Sequence, residues 1–133
     1  FQETADNEKE HAKMWFKLLG GIGCTAENLV AAAAGEHEEW SDDCPMLADS
    51  AVEEGFPEIA AMYRNISIAE KGHEERYLAL LKNIEEHTVF KKDGKVFWQC
   101  RNCGFIIEAE EAPLACPACV HPQAYFEVRK ENY

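Results

Sequence analysis

Two histidines each follow a glutamate by three residues, in Glu8-Lys9-Glu10-His11 and in Glu70-Lys71-Gly72-His73. In a helix, that spacing puts both side chains on one face about a turn apart, within reach of one ion. A lone pair of this kind is more often a solvated surface pair than a ligand set. Here, however, Glu70 and His73 run in line with Ile59, Tyr63 and Ile66, the stripe that a helix turns inward. An ionised carboxylate in that stripe is costly unless it is paired or bound to metal. The intervening segment repeats the pattern. Leu29 and Ala33 lead into Glu36, Glu39 follows one turn on, and Gly35 leaves room for close approach. A chain like this must bring helices together around charged groups. The arrangement that does so in a dry core is the di-iron carboxylate bundle, with a Glu-x-x-His on each of two helices and a Glu on each of the other two. The sequence supplies both pairs and one single-glutamate helix. The fourth helix, with its glutamate, is expected upstream of Phe1 or from another molecule.

The helical pattern is punctuated clearly. Phe1, Ala5, Glu8, Ala12, Trp15 and Leu19 share a face over residues 1–19, and Gly20, Gly21 and Gly23 end that helix. Thr25 reads as the N-cap of a second helix from Ala26 to near Gly55, with Pro45 expected to kink or break it. Pro57 opens a third helix, whose stripe is Ile59, Met62, Tyr63, Ile66, Glu70, His73, Tyr77, Leu80 and Ile84. Beyond about residue 86 the composition shifts. Val89-Phe90 and Val96-Phe97-Trp98 read as two short strands around Asp93-Gly94, and residues 125–128 as a terminal strand. The expected division is a helical domain over 1–88 and a small β domain over 89–133. The chain opens inside a helical pattern, with no Met and no signal-peptide pattern, and is read as a piece of a longer chain or as one whose N-terminal part is not represented.

The β part carries Cys100-Arg101-Asn102-Cys103-Gly104 and Cys116-Pro117-Ala118-Cys119. Two such knuckles bring four thiolates to the corners of a tetrahedron, which suits zinc or a single iron. Zinc would make a structural ribbon and iron a one-electron carrier. A redox dithiol or disulfides are the remaining readings. Trp98, Phe105, Tyr125 and Phe126 are candidates to wall the site from water. Cys24 and Cys44 read as buried, inert thiols, and His37, His87 and His121 as ordinary polar residues.

The net charge of −12 disfavours a phosphate backbone as partner. The longest apolar run, residues 29–34, falls far short of a spanning helix. Neither nucleic acid nor membrane is expected.

Taken together, Glu-Lys-Glu-His at 8–11, Gly-Glu-His-Glu-Glu-Trp at 35–40, His-Glu-Glu-Arg-Tyr at 73–77, the two knuckles and the closing Tyr-Phe-Glu-Val-Arg resemble the rubrerythrins over essentially the whole chain. The resemblance implies a mainly α protein, a ferritin-like four-helix bundle of which three helices are present, followed by a small rubredoxin-like β domain. By motif, Glu8, His11, Glu36, Glu39, Glu70 and His73 fall on the family's di-iron ligands and catalytic residues. Cys100, Cys103, Cys116 and Cys119 fall on its tetrathiolate iron ligands. In the family a histidine is exchanged for an additional glutamate when the site is oxidised, and here those residues would be His11 and Glu39. Cys44 stands where family members often carry a tyrosine. The implied activity is a cytoplasmic non-haem peroxidase reducing hydrogen peroxide to water in oxidative-stress defence. Its electrons would come from an NAD(P)H-dependent reductase or a rubredoxin through the thiolate iron. A homodimer is implied, with exchanged helices as one arrangement. The same residues also admit an iron-handling ferroxidase or a zinc-ribbon-type binding module.

Overall fold

The computed structural model describes residues 1–133. Helix α1 (Gln2–Leu18) is followed by Gly20 in the left-handed region, φ +74°, which a Cβ would oppose. None of its 17 residues is buried. Phe1, Trp15 and Leu19 of the expected stripe are all exposed, so the stripe exists as a helix face without a packed partner.

Helix α2 (Thr25–Glu38) begins one residue earlier than expected, because Cys24 and not Thr25 caps it. The Cys24 N–H donates to Glu27 Oε2 at 2.7 Å, closing a capping box. The break expected at Pro45 takes the form of a π turn at Glu39–Asp43, after which the chain continues as α3 (Cys44–Glu53). Proline has no N–H to give the preceding turn, and its ring crowds the carbonyl four residues back. Widening that turn relieves the clash, and the Cys44 N–H donates to the Glu39 carbonyl five residues before it. Gly55, at φ +87°, turns the chain, and Pro57 starts α4 (Pro57–Glu85). Where α3 meets α4 the core is built of small side chains, Ala48, Ala51 and Ala60, with Tyr63 packed against them. No helix is long and apolar enough to cross a membrane.

The chain divides into two units, Phe1–Leu81 and Lys82–Tyr133. The second holds an antiparallel sheet in the order β2-β1-β3, with β1 at Lys91–Cys100, β2 at Ile106–Glu111 and β3 at Phe126–Val128. The expected hairpin around Asp93-Gly94 does not form. Residues 91–100 make one strand, and its register against β2 slips between Lys91↔Glu111 and Val96↔Ala109. Asp93 and Gly94 therefore lie in a bulge rather than a reversal. The true partner, β2, was not anticipated, because its glutamates hide the alternation of half-buried Ile107 and Ala109. Trp98, Cys100, Ala112, Cys116 and Phe126 form the buried core, with Phe105 packed against it. Tyr125 is exposed and belongs to a short 3-10 turn, Gln123–Tyr125. The Trp98 indole N–H is satisfied by the Ala109 carbonyl at 3.1 Å.

Candidate metal centres

The two cysteine knuckles are built alike. The residue after the second cysteine turns left-handed, Gly104 at φ +78° and Val120 at φ +60°. Its N–H donates back to the first cysteine's carbonyl, Gly104 to Cys100 at 2.9 Å and Val120 to Cys116 at 2.8 Å. The first cysteine's N–H then reaches across the turn, Cys100 to the Phe105 carbonyl at 2.9 Å and Cys116 to that of His121 at 2.8 Å. These bonds present all four sulfurs to one point, with every Sγ within 4.8 Å of the others. The Cys100–Cys119 and Cys103–Cys116 separations are both 3.7 Å. A disulfide needs about 2.05 Å. A tetrahedral metal with bonds of about 2.3 Å to sulfur needs edges of about 3.8 Å.

The protonation pattern agrees with that fit. Cys119 is drawn down to about 6, chiefly by the backbone N–H of His121. Cys103 is pushed up to about 12: the backbone N–H of Phe105 favours its thiolate, but hydrogen bonds with Cys119, Cys116 and Cys100 together with burial outweigh it. Thiols this close do not all ionise without a cation among them.

Val120 carries the strain that Gly104 avoids, since a β-branched residue fits poorly at positive φ. The residue is 79% exposed, so removing its side chain forfeits little packing. Val120→Gly should stabilise the sheet unit by about 1 kcal/mol, read as a higher midpoint in thermal unfolding. An unchanged or lowered midpoint would contradict this account of the knuckle.

In the helical unit, one ligand atom from each of Glu36 on α2 and Glu70 and His73 on α4 comes within 4.8 Å of the others. His73 Nδ1 lies 2.6 Å from Glu70 Oε2 and 3.4 Å from Glu36 Oε2. The two carboxylates are largely shielded, with side chains 17% and 18% exposed, while the imidazole edge is open. A cavity of about 400 Å³ lies beside them, lined by Glu36, His73, Arg76, Tyr77 and Leu80. Two shielded carboxylates and an imidazole aimed at one space are the hard oxygen and nitrogen donors that iron accepts.

The ligand atoms of the other candidate residues fall outside this group. Glu8 and His11 pair with each other at 3.1 Å on exposed α1. Glu39 heads the π turn. Cys44 is buried, as expected, and its thiol is held up by that burial and then by the charges of Glu70, Glu39 and Asp43. Cys24 is exposed, contrary to expectation, because its place is at the mouth of α2 as a cap. One residue was missed. Glu74 extends the inward stripe four residues after Glu70 and bonds both His37 and Trp40. The signal was its i+4 spacing from Glu70, and His37 is more than the bystander expected.

Known proteins match both parts of the chain. The rubrerythrin family model matches residues 1–81, and the model for the rubrerythrin rubredoxin-like domain matches 98–127. A rubrerythrin of Porphyromonas gingivalis is 54% identical over 146 residues, covering 100% of this chain and 73% of that protein. A rubrerythrin of Nitratidesulfovibrio vulgaris is 44% identical over 146 residues, covering 100% and 76%. Among solved structures, a nigerythrin aligns with a TM-score of 0.44 and 31% identity, over 81% of this chain and 50% of that one. The chain belongs to the rubrerythrin family of oxidoreductases, with a di-iron site in its ferritin-like helical domain and a tetrathiolate iron site in its rubredoxin-like domain.

Proposed function

We propose that the chain is a non-haem peroxidase that reduces hydrogen peroxide to water as a defence against oxidative stress in the cytoplasm. Its electrons would come from an NAD(P)H-dependent reductase or a rubredoxin by way of the thiolate site. The observation that carries this reading is the convergence of Glu36, Glu70 and His73 beside a cavity, in a chain that also gathers four cysteine sulfurs suited to a one-electron iron centre. An iron store has no need of such a fused donor.

Bound ferrous ions would supply the electrons and the Lewis acidity that reductive cleavage of the O–O bond requires. The chain supplies the rest. The largely shielded Glu36 and Glu70 would neutralise the ions' charge, and His73 would complete the donor set from the open side. Glu8 and His11 on α1 are the proposed further ligands. Their approach to the cluster fits a homodimer, because α1 buries none of its own apolar face. Glu39 is the proposed carboxylate that replaces His11 on oxidation. It heads a π turn, a local geometry one hydrogen-bond shift away from a regular helix.

Glu39→Ala should slow peroxide turnover by roughly tenfold or more, while the visible spectrum of the thiolate site stays as in the parent. Unchanged peroxide kinetics would count against the role of Glu39. The reduced parent should also be oxidised faster by peroxide than by dioxygen. The reverse order would favour iron handling instead.

A further inference from the structure

Glu74 is as shielded as the carboxylates of the cluster, its side chain 17% exposed, yet it belongs to no ligand set. Its two oxygens are spent across the helix interface. Oε1 lies 3.0 Å from His37 Nδ1 on α2, and Oε2 accepts the Trp40 indole N–H at 2.6 Å from the π turn. The two partners also touch each other, edge to face, with ring centroids 5.0 Å apart. From α4, Ser67 Oγ donates to the Trp40 carbonyl at 3.0 Å, and Lys71 Nζ sits 5.4 Å over the indole.

Each member of this clamp is a chain neighbour of a candidate ligand. His37 follows Glu36, Trp40 follows Glu39, and Glu74 follows His73. A helix that slips by one residue moves about 1.5 Å along its axis and turns by about 100°, which would carry Glu36 away from His73. Bonds from one carboxylate to two points on the facing segment forbid both motions.

We propose that Glu74 is a positioning residue for the helical metal site. By holding His37 and Trp40 together it fixes the rotation and height of α2 against α4, so that Glu36 meets Glu70 and His73. This rests on reading those three residues as metal ligands, and the test separates the two ideas.

The full chain, its thiolate site first filled with zinc, is titrated with cobaltous ion while the ligand-field absorption is followed. Thermal unfolding is measured separately on the cobalt-free protein. Glu74→Ala should bind cobalt at least about tenfold more weakly than the parent. Trp40→Phe keeps an aromatic ring, removes the N–H and should show a smaller loss in the same direction. Glu74→Gln should recover most of the affinity, since its amide oxygen accepts from Trp40 and its N–H donates to His37 Nδ1. Should Glu74→Ala fail to fold, Trp40→Phe and Glu74→Gln carry the comparison. A Glu74→Ala protein that melts earlier but binds cobalt like the parent would overturn the proposal, and so would a glutamine variant as weak as the alanine one. A parent that takes up no cobalt beyond its zinc would overturn the ligand reading itself, and the clamp with it.

Discussion

Cys116→Ser bleaches the visible absorption of the ferric tetrathiolate site and unfolds the sheet unit. The size of the effect follows from how little else holds residues 82–133 together. The buried core is Trp98, Cys100, Ala112, Cys116 and Phe126, and two of those five are thiolate ligands. A core so small does not offset the conformational entropy of ordering a unit of this length. Metal bound by four thiolates contributes on the order of 10 kcal/mol of apparent folding free energy. A serine hydroxyl is a poor ligand for so soft a site. Loss of the near-ultraviolet signal of Trp98, together with the colour, is the expected readout. A serine variant that kept both the sheet and its melting temperature would show that the apolar core suffices alone.

Glu70→Ala separates binding from stability in the helical unit. In the metal-free protein the Glu70 and Glu36 carboxylates both crowd His73. Removing Glu70 forfeits its contact with the half-exposed His73, which contributes little, while it relieves repulsion from Glu36, and alanine favours a helix interior more than glutamate does. The metal-free variant should therefore melt at or above the parent's temperature. Its metal affinity and its peroxide rate should fall at least about a hundredfold, beyond what losing an outer-sphere partner costs. Metal titration beside calorimetry checks both halves. A variant that lost stability yet kept its affinity would mean that Glu70 serves the fold and not an ion.

The helices were legible because glycine and proline punctuate a steady three- and four-residue apolar rhythm. Gly20, Gly55 and Pro57 stand where that rhythm stops. The cysteine knuckles were legible from spacing alone, since a tight turn between paired cysteines aims both sulfurs the same way. Other features were hidden by competing physics. Pro45 announces a break, but not that the backbone answers the clash with a π turn. Asp93-Gly94 carries the chemistry of a turn, but tertiary pairing with Glu111 and Ala109 turned it into a bulge. Strand β2 was masked by charged residues on its exposed side. Glu74 lies four residues after Glu70, but that spacing alone does not say what its carboxylate touches. Its role shows only when His37 and Trp40 arrive from another helix. The spacing along α1 defines a face, yet a face is only half of a contact.

Mössbauer spectroscopy of the iron-loaded full chain, beside the same chain carrying Glu70→Ala, tests the central claim most directly. The parent should show two classes of iron, one held by sulfur in a tetrahedron and one held by oxygen and nitrogen, and the variant should keep the first and lose the second. A parent spectrum with the sulfur class alone, or an oxygen–nitrogen class that survives the substitution unchanged, would contradict the account.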